Sequence, residues 1–232
     1  MLTTLLRAET ETISIARDGL PRTIAARTRR IYDVISTVYP LSTYCFHSRA
    51  HKAALEMSRI RDGMRVLEVA TGSGEMFRRL VRTNRAGETV GLDLSPRMAA
   101  RTQGRVRQDF PDSVSQCHAV DARYLPFRDQ AFDAVVCCYL LELLGQEDIF
   151  QTLGEIHRVL KRRGTFTLVC IGQNADLFNR VYRMAGSLAP AFWGRQVEAR
   201  VTEWLRACDF RVTSECEVRQ AGYPSRVVAT VK

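Results

Sequence analysis

Lysine is scarce in this chain. Of its 34 basic side chains only Lys52, Lys161 and Lys232 are lysines, and the rest are arginines. Long apolar runs are missing too: the longest, Ala134–Leu141, is far below the roughly 20 residues a membrane-spanning helix needs. Cysteine never occurs at CxxC spacing. The seven cysteines, an odd number, lie scattered at 45, 117, 137, 138, 170, 208 and 216, mostly inside apolar runs. That pattern argues against a disulfide scaffold or a structural zinc site, and for buried free thiols in a reducing compartment. Met1–Leu6 runs straight into Arg7 and Glu9, so no secretory leader is expected and the cytoplasm is the expected location. A hydrophobic content of 46% excludes a disordered chain.

With 232 residues, one domain with a small appendage is the default. The net charge of +9 is uneven. Residues 1–65 carry +5 and residues 172–232 carry +3, while the middle of the chain is at +1. The excess therefore sits on the flanks, which suits contact with anionic lipid, nucleic acid or an acidic substrate. An arginine-rich composition alone would give the same excess.

No repeat or low-complexity segment is present. Residues 22–60 read as helices broken near Tyr39-Pro40, because proline disfavours helical geometry in the residue before it. From residue 64 the pattern changes to strand–helix alternation. Predicted strands are 65–70, 89–94, 114–120, 131–138 and 165–171; predicted helices are 75–82, 96–108 and 147–160, the second opened by Ser95 as cap and Pro96. Helices near 175–188 and 196–207 follow, then two β-rich runs, 211–218 and 226–231. Continuously apolar strands separated by helices predict an α/β, doubly wound, mostly parallel sheet, closed by a C-terminal antiparallel hairpin.

In such a sheet, ligands sit beyond the carboxyl ends of the strands. The turn after the first strand is Glu68-Val-Ala-Thr-Gly72-Ser-Gly74, and its glycines let a ligand approach the backbone closely. A glycine pair alone indicates only a tight turn. Asp93 ends the second strand, 19 residues after Gly74, where a carboxylate can accept from both hydroxyls of a ribose. Asp121, followed by Ala122, ends the third, at the adenine end of such a site. A dinucleotide loop would have a third glycine where Phe77 stands. Glu68 and Glu75 bracket the loop, which disfavours a pyrophosphate and favours an ammonium or a sulfonium. The residues therefore point to S-adenosylmethionine rather than NAD or ATP.

The runs VLEVATGSGE (66–75), VGLDLSPRM (90–98), DARYLPF (121–127), FDAVVCCYLLELL (132–144) and EIHRVLKRRG (155–164) resemble the class I S-adenosylmethionine-dependent methyltransferases. They look most like the ubiquinone/menaquinone-biosynthesis C-methyltransferase branch. The resemblance covers about residues 30–172 in five ordered motifs, with Tyr32-Asp33 and Tyr39 extending it. It implies a Rossmann-like, seven-stranded fold with N-terminal helices. It places Glu68, Ala70, Gly72 and Gly74 along the methionine part of the cofactor, Asp93 on the ribose and Leu94 beside the adenine. Asp121 would accept from the adenine amino group and Ala122 donate from its backbone. Cys138 would touch the cofactor through its main chain, and Tyr39 would close over the site near the sulfonium. Residues 1–60 would form a helical cap meeting substrate and membrane. Residues 61–232 would form the cofactor domain, with 172–208 as a substrate lid. The chain departs from the family pattern at Ala70, where most members have glycine though this branch often has alanine. It departs again at Arg162-Arg163, in place of Pro-Gly, and at Pro40, in place of an acid.

Methyl transfer needs a nucleophile held in line in a dry pocket, and a base only where the acceptor must lose a proton. Tyr39, His47 and Glu142 are the catalytic candidates, with His51 and Tyr139 as further groups facing the methyl. Glu142 is placed near the pocket mouth, or more blandly as a charge at a helix start. His47 and His51 share a helical face, but there is no H-E-x-x-H motif and no third ligand, so no metal is expected. Cys137 and Cys138 read as packing thiols. The leading expectation is methyl transfer to a small lipophilic or aromatic, quinone-precursor-like acceptor. The alternative is N-methylation of a phospholipid headgroup, phosphatidylethanolamine, at the membrane surface. Its motive is the N-terminal mixture of arginines 17, 22, 27, 29 and 30 with apolar residues, which suits peripheral contact with an anionic inner membrane. Nucleic acid is disfavoured: the Asn/Asp-Pro-Pro-aromatic run of amino-methylating enzymes is Cys137-Cys138-Tyr139-Leu140 here.

Overall fold

The computed structural model describes residues 39–172 and 197–232, with side chains from His47 onward. The elements are α1 (Tyr39–Met57), β1 (Arg65–Val69), α2 (Glu75–Thr83), β2 (Glu88–Asp93), α3 (Pro96–Asp109), β3 (Val114–Ala119), β4 (Phe132–Cys138), α4 (Gln146–Val159), β5 (Leu160–Ile171), α5 (Glu198–Ala207), β6 (Arg211–Gln220) and β7 (Tyr223–Val231). They build one seven-stranded sheet in the order β3-β2-β1-β4-β5-β7-β6. Strands β1 to β5 are parallel, and β7 and β6 add antiparallel at the edge. The order reverses between β1 and β4, which places the switch point beside the glycine loop.

Successive strand residues face opposite sides of the sheet, and the core divides accordingly. Val66, Ala134, Val136, Val169 and Val227 pack with Ala50 and Ala54 of α1 and Met76 and Leu80 of α2. Leu67, Val135, Cys137, Leu168 and Val228 pack on the other side, with Ile149, Leu153 and Ile156 of α4 and Val201, Trp204 and Leu205 of α5. Both faces of β1 and β4 are covered, which is why those strands read as largely apolar runs, interrupted only by Glu68 and Asp133. The edge strands β3 and β6 alternate exposed and half-buried residues instead.

Two starts were legible in advance. Ser95 caps α3, its Oγ accepting from Met98 N at 3.2 Å, with Pro96 in the first turn. Helix α1 begins at the predicted break, with Pro40 in its first turn, where a missing N–H costs no hydrogen bond. The fifth strand is longer than expected. Helix α4 passes directly into β5 at Leu160, and residues 161–163 form an irregular stretch with Arg163 left-handed (φ 64), where the family's Pro-Gly turn is absent. Of the expected lid segment, the described part, Glu198–Ala207, is a core helix. The predicted helices over 22–38 and 175–188, the basic N-terminal segment, Cys45 and the Tyr39 side chain lie outside the described residues. Among the described residues no helix is long and apolar enough to cross a membrane.

Gly91 of β2 marks the tightest packing between sheet and loop. A Cβ there would meet Thr71 Cγ2 at 2.7 Å and Phe77 Cε2 at 2.8 Å, both on buried residues. Gly91→Ala is expected to destabilise the fold by about 1–3 kcal/mol through overpacking, read as a lowered Tm in thermal denaturation.

Candidate active site

The loop after β1 is held from both ends. Ala70 is left-handed (φ 65), an unusual conformation for a residue with a side chain, and Thr71 N donates to Leu92 O at 2.9 Å. Gly74 caps α2 in the left-handed region (φ 78). A Cβ at Gly74 would lie 2.7 Å from Thr102 Oγ1, so glycine is required there on both counts. Gly72 N donates to Asp93 Oδ2 at 2.7 Å, and Ser95 N donates to Asp93 Oδ1 at 2.9 Å. The Asp93 carboxylate is thus fixed against the glycine loop by two charge-assisted bonds.

Glu68 lies on β1, 1% exposed, and its Oε2 has no hydrogen-bond partner among the described residues. Burial, then the nearby Asp93 carboxylate, push its carboxyl well above the usual range. Glu75 differs. Arg79 holds it at 2.9 Å and also donates to Ser48 Oγ, so of the two acids that bracket the loop only Glu68 keeps an unmatched oxygen among the described residues. Leu94 follows Asp93 and is 37% exposed, an open apolar side chain at the same edge.

Asp121 and Ala122 follow β3. The Asp121 carboxylate is occupied: Arg123 donates from Nε to Oδ1 at 3.0 Å and from Nη2 to Oδ2 at 2.7 Å, and reaches Asp148 at 2.9 Å. Burial opposes ionisation there, but the bonds from Arg123 hold Asp121 below the usual carboxylate range. This triad was missed in sequence, where nothing marked Asp148 as a partner.

Cys138 ends β4, and burial raises its thiol far above neutral pH, as it does for Cys137 and Cys170. These thiols are not nucleophiles. Tyr139 follows with φ 55, its hydroxyl bonded to Ser225 Oγ at 2.7 Å. His47 stacks on the Tyr139 ring at 4.2 Å, and His51 sits one turn along α1 with a buried Nδ1 that lacks a partner among the described residues. Burial drives His47 down to about 4 and His51 to about 3, so both imidazoles are neutral at pH 7. No metal-binding group of three or more His, Cys, Asp or Glu occurs among the described residues.

Glu142 lies just past β4, in the first turn of a short helix over Leu141–Leu143, and is buried there, 2% exposed. Its Oε1 accepts from Ile171 N at 2.6 Å, tying the end of β4 to the end of β5, and its Oε2 has no partner among the described residues. The physical reason is the crowding of two parallel strand ends, which draws the side chain inward to satisfy a backbone N–H.

Glycine loop, ribose-competent acid and buried carboxyl thus meet at one sheet edge. A family model described as a methyltransferase domain matches residues 66–164, which span that whole edge. Residues 66–164 are a methyltransferase domain, built on the class I methyltransferase fold. S-adenosylmethionine is the cofactor of this methyltransferase domain. The chain is 32% identical over 154 residues to a demethylmenaquinone methyltransferase of Lactiplantibacillus plantarum, covering 66% of this chain and 60% of that protein. It is 32% identical over 107 residues to a phosphatidylethanolamine N-methyltransferase of Cereibacter sphaeroides, covering 46% and 50%. Against the quinone relatives, the matched region spans about three-fifths of their length. The methyltransferase fold superposes with a TM-score of 0.69 on N-methyltransferase NodS of Bradyrhizobium japonicum in complex with S-adenosyl-L-homocysteine, at 14% identity over 88% of this chain and 98% of that one.

The raised Glu142 carboxyl gives a sign-definite test. Its folded-state value is about 7 against an ordinary 4.5, so the fold binds its proton more tightly than the unfolded chain does. The contribution is fully present below 4.5 and is lost as pH rises through 7. Glu142→Gln stays neutral and can still accept from Ile171 N. Relative to wild type, the variant should gain stability between pH 5 and pH 8, by about 3 kcal/mol at most. The measurement is Tm of both proteins at the two pH values; a difference that does not change with pH refutes the buried ionisation.

Proposed function

We infer that this chain transfers the methyl group of S-adenosylmethionine to a small lipophilic ring acceptor of the quinone-precursor kind. The observation that carries the cofactor side is the meeting of Glu68, with its unmatched buried oxygen, and Asp93, clamped to Gly72, at the carboxyl ends of β1 and β2. An orphaned carboxyl oxygen in a dry site invites an ammonium donor, which the methionine end of the cofactor has. Gly72 and Gly74 admit the ligand to the backbone, and Ala70 turns the chain into the loop. Asp93 accepts from the ribose hydroxyls, while Leu94, Asp121 and Ala122 border the adenine. Cys138 contributes its main chain, and Tyr39, at the start of α1, closes over the site.

When bound, S-adenosylmethionine supplies an activated methyl with its leaving group built in. The chain's own residues orient the acceptor and take up the proton that ring methylation releases. Of the candidates, His47 is too weak a base once buried. Glu142, raised to about 7, is matched to proton uptake at neutral pH. The quinone relatives support the ring acceptor. The Cereibacter relative supports the second reading, phosphatidylethanolamine N-methylation, in which residues 1–60 meet an anionic membrane surface and 172–208 cover the substrate.

Isothermal titration of S-adenosylhomocysteine into the full chain is expected to give micromolar binding. Asp93→Ala should weaken it by about 30-fold or more, since it removes a charged hydrogen-bond acceptor worth about 2 kcal/mol or more. Absence of binding heat in wild type overturns the cofactor assignment. Methyl transfer to naphthoquinol rather than to phosphatidylethanolamine vesicles decides between the two acceptors.

A further inference from the structure

Tyr139 is the first residue beyond β4, and its backbone is left-handed (φ 55), a strained state for a bulky aromatic residue. Strain of that kind persists only where the surroundings enforce it, and three separate elements do so here. Tyr139 N donates to Val169 O of β5 at 2.8 Å. The hydroxyl shares a 2.7 Å hydrogen bond with Ser225 Oγ of β7, 86 residues along the chain, and Ser225 is 2% exposed. The ring stacks on His47 of α1, with centroids 4.2 Å apart and planes at 30°. Tyr223 closes the group, 4.9 Å from His47 and 6.3 Å from Tyr139.

The position of this group gives it a use. Ser225 pairs with Ile171, the last residue of β5, so the rings lie at the carboxyl ends of β4 and β5. That is the edge where an open parallel sheet receives its ligand, next to the Cys138 assigned to the cofactor. Ring packing alone would be served equally by phenylalanine. The hydroxyl–hydroxyl bond adds direction, fixing the tilt of a ring that would otherwise turn about χ1 and χ2.

We propose that Tyr139 is the wall against which the methyl acceptor's ring is set, and that Ser225 is a positioning residue acting through the Tyr139 hydroxyl. This rests on the methyltransferase reading above. The full chain is assayed with dithionite-reduced 1,4-naphthoquinone as acceptor, in wild type, Tyr139→Phe, Ser225→Ala and the double variant. S-adenosylhomocysteine affinity is measured in each. Each single variant is expected to raise KM for naphthoquinol about tenfold and to leave S-adenosylhomocysteine affinity within about twofold. The double variant should be no worse than the worse single, because both remove one bond. Ser225→Thr, which keeps a hydroxyl, should restore KM to within about threefold of wild type. Losses that multiply in the double variant, or cofactor affinity that falls in step with KM, overturn the proposal.

A second readout needs no acceptor. The Tyr139 ring current displaces the His47 ring-proton resonances, and Ser225→Ala should remove about half of that displacement or more as the ring is released. An unchanged His47 spectrum overturns the positioning role. If wild type binds S-adenosylhomocysteine and shows this spectral change but does not methylate naphthoquinol, the positioning role stands and the ring-acceptor reading fails. Failure to bind S-adenosylhomocysteine overturns both.

Discussion

The hydrogen bond from Gly72 N to the Asp93 carboxylate joins two loops that leave neighbouring parallel strands at the same edge. The turn is held besides by Thr71 N on Leu92 O, Gly74 N on Thr71 O, Arg105 on Ser73 O and the α2 cap, but this bond alone ties it to the carboxylate that ends β2. With it, the backbone amides of the turn and a charged carboxylate share one small volume. Everything else at this edge is arranged around that fixed point. Ala70 accepts a left-handed conformation to enter the turn, Gly74 leaves room for Thr102, and Gly91 lets the loop lie flat on β2. The covered faces of the sheet below hold β1 and β2 in register, and so set where the bond can form.

The second organising feature is the exclusion of charge from the interior of the site. Burial raises Glu68 and Glu142 and lowers His47 and His51, so groups that could carry charge are held neutral or poised near neutrality. Apart from Asp93, which two backbone amides hold, the acidic groups around the site are paired at the rim: Glu75 with Arg79, and Asp121 and Asp148 with Arg123. A dry, nearly uncharged interior suits a displacement in which the positive charge of a sulfonium is lost, and it suits an apolar acceptor.

Much of this was legible in the sequence because parallel strands covered on both faces leave a plain mark. The runs 66–69 and 132–138, the Ser95-Pro96 start and the glycine loop are local signals read by local rules. Other features depend on residues far apart in the chain. Nothing near Glu142 foretells that Ile171 N will draw its carboxyl inward, and nothing near Tyr139 foretells Ser225. Glu75 brackets the loop in sequence, but its carboxylate is held by Arg79, one helical turn on. The direct passage of α4 into β5 was obscured by the arginines that replace a recognisable turn.

The near absence of lysine has a practical consequence. Of the three amine side chains, Lys161 is bound to Asp133 at 2.7 Å, and Lys232 donates to the carbonyls of His157 and Leu160. Lys52 remains, 72% exposed, with Glu56 at 3.9 Å in a weak surface pair. Amine-directed chemistry on the lysines therefore falls chiefly on one site. That site is on α1, five residues from His47, so a reporter or tether attached there would ride on the helix whose His47 stacks on Tyr139.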